Sequence, residues 1–236
     1  MVEVRALPDA AAWAQACADL LADTLSEAVA ETGKAVFAGA GGSTPAPIYA
    51  RLAQATLDWS RTAVTLVDER YVPESSEDSN AALMKRTLLT GPAAAARFIP
   101  LYSSQVTIDR AAAVAAHALA AEGGRIDAAL LGMGEDGHIC SMFPGNPALK
   151  SLLSPALRPT VFGVAAGRDG MPPSLERLSI NLPYLTGARR VVLALTGARK
   201  REVFEQEAAG DPNTHPIAAL IANKAPLDVL WTEAAR

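Results

Sequence analysis

The stretch Gly132 to Gly145, GMGEDGHICSMFPG, places His138 directly after Glu135, Asp136 and Gly137 and two residues before Cys140. Histidine exchanges protons near neutrality, an acid beside it can orient it, and glycines let backbone amides approach a ligand closely. The run before it, IDAALL (Ile126 to Leu131), is a short apolar segment of the kind found in buried strands, with glycine on both sides. In open parallel sheets ligands bind beyond the carboxyl ends of the strands, so His138 and Asp136 are delivered where a substrate would sit. A Cys140–His138 nucleophile pair is disfavoured, because adjacency along a loop seldom gives the required geometry.

Two further segments carry chemistry. GAGGSTP (Gly39 to Pro45) follows an apolar strand and opens a helix, so the amides of Gly41 and Gly42 and the hydroxyls of Ser43 and Thr44 read as a phosphate cradle. Its spacing fits neither the dinucleotide fingerprint, since Thr44 stands where the last glycine would, nor the P-loop, whose lysine is missing. In VDERYVP (Val67 to Pro73), followed by Asn80, an apolar strand ends in Asp68, Glu69 and Arg70. Alternation along a strand turns two of the three toward a cleft and leaves the third to brace the loop. A metal site from Asp68, Glu135, Asp136 and His138 is discounted, because no spacing matches a zinc-hydrolase helix motif.

The elements that must hold these loops alternate. Asp9 caps a helix whose apolar positions Trp13, Cys17, Leu20, Leu21, Leu25 and Val29 recur at helical spacing up to Gly33. KAVFAGA (34–40) is the first strand, and a helix opens at Ser43 or Thr44 with Pro45 in its first turn. Further strands are expected at 63–67, 98–101, 126–131, 161–164, 178–180, 191–195 and 227–231, and helices at 78–89, 109–122, 198–209 and 216–222. His117, on the alanine-rich helix 109–122, has no acidic or glycine neighbours and reads as a surface or packing residue. The alternation implies an α/β fold with a mainly parallel sheet covered on both faces, one domain over residues 1–236.

Half of the 236 residues are hydrophobic and 19% are charged, which excludes disorder for the whole. A net charge of −4 argues against nucleic acid as a partner, and an anionic substrate would need a local basic pocket. No run approaches the length of a membrane span and the first residues lack the apolar core of a signal peptide, so a cytosolic protein with free thiols at Cys17 and Cys140 is expected.

GGSTP, DERYVP with a downstream SN, and GMGEDGHICSMFPG, in this order, together resemble the 6-phosphogluconolactonase family. The likeness continues in PPSLERLSINLPYL (Pro172 to Leu185) and in LTGARK, which ends at Lys200. The resemblance implies a three-layer αβα, modified Rossmann-like fold shared with glucosamine-6-phosphate deaminases. It implies no organic cofactor, and hydrolysis of 6-phospho-D-glucono-1,5-lactone to 6-phosphogluconate in the pentose phosphate pathway. It makes His138 the catalytic base, with Asp68 and Asp136 in the site. Cys140 departs from the small residue the family usually carries there. For such a reaction Asp136 or Asp68 would orient the imidazole, Arg70 or loop amides would meet the oxyanion, and Lys200 and Arg177 would join Gly42, Ser43 and Thr44 on the phosphate. The partner is then a sugar-phosphate lactone, and the protein a monomer or small homo-oligomer. A glucosamine-6-phosphate deaminase or isomerase shares the fold but places a glutamate soon after the Asp-Gly-His, whereas no acid occurs here from Ile139 through Ser154. A non-catalytic sugar-phosphate sensor is weaker still, since no helix-turn-helix precedes the domain.

Overall fold

The computed structural model describes residues 2–233. Met1 and 234–236, the ends of the span expected as one domain, lie outside the described residues. Seven strands form a parallel sheet in the order β1 (Val4–Ala6), β10 (Leu227–Thr232), β9 (Arg190–Thr196), β6 (Ala128–Leu131), β2 (Ala35–Gly39), β3 (Thr62–Leu66), β5 (Arg97–Phe98). Every residue of β2, β3 and β6 is buried, as expected of parallel strands covered on both faces.

Helix α1 (Ala10–Thr32) lies against this sheet and buries Trp13, Cys17, Leu21, Leu25 and Ala28, one stripe of its surface. Asp9 accepts from the Ala12 amide at 2.8 Å to start it, and Gly33, at φ 78°, ends it. The remaining helices are α2 (Ala46–Leu52), α3 (Asn80–Thr87), α4 (Ile108–Ala121), α5 (Leu149–Leu152), α6 (Leu182–Thr186), α7 (Ala198–Ala208) and α8 (Pro216–Ala222). Among the described residues no helix is long and apolar enough to cross a membrane.

Four expectations need correction. Neither Ser43 nor Thr44 caps α2, which starts at Ala46 behind Pro45 without a side-chain cap. The strand expected at 98–101 is Arg97–Phe98, because Pro100 has no amide to extend the ladder beyond the bond from Ile99 to Val64. Val4–Ala6 was not expected as a strand; three residues are too few to show a period, and pairing with β10 makes them one. The strands at 161–164 and 178–180 lie outside the parallel sheet. They are β7 (Val161–Val164) and β8 (Arg177–Ile180), and with β4 (Asp68–Arg70) they form a separate antiparallel sheet in the order β4-β8-β7. The segment from 165 to 176 contains no helix, so the crossover a parallel pair requires is lacking.

At the amino end of β6, buried Asp127 ties several elements together. Its Oδ2 accepts from the Val36 amide at 2.8 Å, and its Oδ1 accepts from Arg189 Nε at 3.1 Å. The catalytic candidates gather at the other end of the sheet.

Candidate active site

Beyond the carboxyl ends of β2 and β6 lies a cleft of about 270 Å³ lined by Gly41, Gly42, Ser43, Thr44, Asp68, Arg70, Asn80, His138, Arg177 and Lys200. The loop after β2 passes so close to α3 that a Cβ at Gly41 would meet Asn80 Oδ1 at 1.9 Å. Glycine there permits the approach.

The loop after β6 is a tight turn. The Gly134 amide donates to the His138 carbonyl at 2.9 Å, Gly137 sits at φ 85°, and a Cβ at Gly134 would come within 2.3 Å of His138 Nδ1. The turn folds Asp136 behind the imidazole, with Oδ1 2.5 Å from Nδ1 and 3.3 Å from the His138 amide. A carboxylate on Nδ1 selects the tautomer with Nδ1 protonated and leaves Nε2 as the nitrogen available for proton exchange. Burial works against ionisation of Asp136, yet the hydrogen bonds and charge of His138 hold its carboxyl below the usual carboxylate range. Phe143 covers a face of the imidazole, centroids 4.3 Å apart. Of the expected site residues, Asp136 alone does not line the cleft; it stands behind the residue that does.

Asp68, Glu69 and Arg70 divide their directions. Asp68 is buried in the cleft wall, where Oδ2 accepts from Ser141 Oγ at 2.6 Å and lies 3.9 Å from Arg177 Nη1. Glu69 turns the other way and accepts from the amides of Arg70, Asn80 and Ala81 at 2.7, 2.8 and 2.7 Å, closing the amino end of α3. Burial pushes its carboxyl up in pKa while those amides pull it back. Arg70 lies opposite Arg177 in the β4–β8 pairing, and both line the cleft with their buried Nε atoms unpaired. Burial lowers the pKa of Arg177, against the opposing charge of Asp68. Lys200, in the first turn of α7, is likewise lowered by burial, against Glu135.

The cleft therefore presents three cationic side chains and one carboxylate around a histidine. That balance suits an anion, in a protein whose net charge is negative. Cys140, at φ 52°, is buried, and that burial, reinforced by the charge of Asp68, raises its thiol well above the ordinary range and disfavours the thiolate a nucleophile needs. Among the described residues no group of three or more His, Cys, Asp or Glu side chains could hold a metal ion, so Asp68, Glu135, Asp136 and His138 do not converge into one. The sequence reading missed Ser141, which ties the loop after β6 to Asp68, and Phe143. A hydroxyl inside the otherwise apolar run ICSMF was the signal for the first. For the second there was none, since a phenylalanine there reads as core.

The model of the family described as glucosamine-6-phosphate isomerases/6-phosphogluconolactonase matches residues 8–231. A 6-phosphogluconolactonase of Rhizobium meliloti is 41% identical over 222 residues, covering 93% of this chain and 94% of that protein. The crystal structure of a 6-phosphogluconolactonase from Shewanella baltica superposes with a TM-score of 0.88 at 31% identity, covering 98% of each chain. A monomeric glucosamine-6-phosphate deaminase gives a TM-score of 0.75 at 21% identity, covering 98% of this chain and 97% of that one, a likeness of fold.

Proposed function

The chain belongs to the glucosamine-6-phosphate isomerase and 6-phosphogluconolactonase family, and from that membership we infer that it hydrolyses 6-phospho-D-glucono-1,5-lactone to 6-phospho-D-gluconate. The observation that carries the reading to residues is the His138–Asp136 pair, 2.5 Å apart, at the edge of a cationic cleft.

His138 Nε2 takes a proton from a water molecule, whose oxygen bonds to the lactone carbonyl carbon. Asp136 holds the ring and stabilises the imidazolium as it forms. The carbonyl oxygen becomes an oxyanion, met by Arg70 or by amides of the 132–138 loop. The tetrahedral species then collapses: the bond from that carbon to the ring oxygen breaks, and the imidazolium returns its proton to the departing oxygen. Lys200 and Arg177, with Gly42, Ser43 and Thr44, hold the phosphate, as charge-assisted bonds to phosphate are the strong kind. Asn80 and Ser141 fix the Asp68 carboxylate, which in turn orients Arg177. We take the chain as one catalytic domain, which the family match over 8–231 supports. Its working compartment is the cytosol, where a charged sugar phosphate is retained.

The test is to generate the lactone in situ and compare its decay with and without the protein, correcting for spontaneous hydrolysis. Acceleration is expected. Decay at the spontaneous rate overturns the reading. Glucosamine 6-phosphate should release no ammonia, because no acid follows His138 as far as Ser154; ammonia at a rate comparable with lactone hydrolysis would favour the deaminase instead.

A further inference from the structure

Glu207, near the end of α7, is 8% exposed, and its carboxyl lies directly behind the catalytic loop: a Cβ at Gly137 would meet its Cδ at 2.3 Å. Its Oε2 is buried without a hydrogen-bond partner, and its Oε1 lies 4.0 Å from Nε2 of His215, the residue before α8. His215 is itself held, with Nδ1 2.9 Å from Thr214 Oγ1 and 3.2 Å from the Asp211 carbonyl. The charged groups facing Glu207 are thus His215 from the segment before α8 and Asp136 from the loop; burial raises its pKa, His215 lowers it and Asp136 raises it. Filling this space with a carboxyl carries a desolvation penalty that an apolar side chain of similar size would not. His215 takes up the charge on one side, and on the other the carboxyl packs against the turn that carries the His138–Asp136 pair, one residue on either side of Gly137.

We propose that Glu207 is a positioning residue for His138: its carboxyl, held from the far side by His215, wedges behind Gly137 so that the turn cannot relax away from the cleft. The proposal rests on the lactonase reading and on His138 as its base. It concerns shape and not charge, so two conservative variants read it.

Glu207→Gln keeps the wedge and removes the charge. Its kcat and KM should stay within about threefold of wild type, as expected when shape positions the ring. Glu207→Asp keeps the charge and shortens the wedge. Its kcat should fall about tenfold with KM little changed, as expected when orientation and not binding is lost. If Glu207→Gln does not fold, Glu207→Asp decides by its kcat. A kcat in Glu207→Gln reduced as far as in Glu207→Asp, or wild-type kcat in Glu207→Asp, overturns the proposal and leaves the lactonase reading standing. A wild-type protein that does not accelerate lactone decay sinks that reading, and the proposal with it.

Discussion

An imidazole that takes a proton from water and returns it to a leaving oxygen needs one nitrogen free and the other occupied, and Asp136 occupies Nδ1 at 2.5 Å. Because the pair holds Asp136 below the ordinary carboxylate range, its ordering of the loop is complete above that range and is lost as pH falls through the lowered value. His138→Asn should lower kcat by about a hundredfold to ten-thousandfold while affinity for 6-phosphogluconate changes little, since asparagine offers hydrogen bonds but exchanges no proton near neutrality. Wild-type kcat/KM should fall on the acidic side as the ring is protonated. That limb should be missing from any residual activity of the variant; activity within a few fold of wild type at unchanged pH dependence would assign water activation to another group. Lys200, half-buried in the cleft wall, offers a different comparison. Lys200→Ala should reduce kcat/KM for the phosphorylated lactone by roughly ten- to a hundredfold, about 1.5 to 3 kcal/mol, and spare plain gluconolactone. Equal loss on both substrates would remove Lys200 from the phosphate.

Helix α3 shows how a buried acid can serve a site without touching it. Glu69 binds the amides of Asn80 and Ala81, the first residues of the helix, and thereby fixes Asn80, whose Nδ2 donates to the Asp68 carbonyl at 2.9 Å. Ser79 adds a conventional cap by accepting from the Ala82 amide at 3.2 Å. Removing the Glu69 carboxyl would strand two buried amides and a half-buried one, so Glu69→Ala should cost about 2 to 4 kcal/mol in urea unfolding. It should also raise KM through the displaced Asn80. An unchanged unfolding midpoint would mean that water replaces the carboxylate. The run DER in the sequence allowed this division of labour without assigning it. Strand alternation separates Glu69 from its two neighbours, but which side faces the cleft depends on β8, more than a hundred residues later in the chain.

The parallel sheet keeps its chemistry at one end and its fastening at the other. Asp127 joins β2 to β6 and to Arg189 at the amino end of β6, away from the cleft. Asp127→Ala should therefore destabilise the fold by about 3 kcal/mol by leaving the buried Val36 amide unmet and Arg189 with Glu31 as its remaining partner. Activity per folded molecule should be unchanged, and a drop in kcat for the folded fraction would show that strain at the base of the sheet reaches the loops. Much of this arrangement follows from the chain read alone. Apolar runs that end in glycine-rich turns announce the buried parallel strands, because an all-buried strand leaves no other pattern and the turn beyond it must let backbone approach a ligand. The same logic singled out Gly41 to Thr44, Asp68 to Arg70 and His138, all of which lie within a few residues of a strand end. Three things depended on packing between distant segments. The strands at 161–164 and 177–180 joined Asp68–Arg70 in a small antiparallel sheet, since their apolar character is the same in either sheet and only the missing crossover helix separates the cases. Asp136, not Asp68, reached the imidazole, because the turn at Gly137 folds the nearer acid behind the ring while Ser141 and Arg177 engage the other. Glu207 came to rest behind Gly137 from seventy residues away, a contact for which helical periodicity holds no signal: spacing along α7 says which face is buried, and only the folded loop says against what.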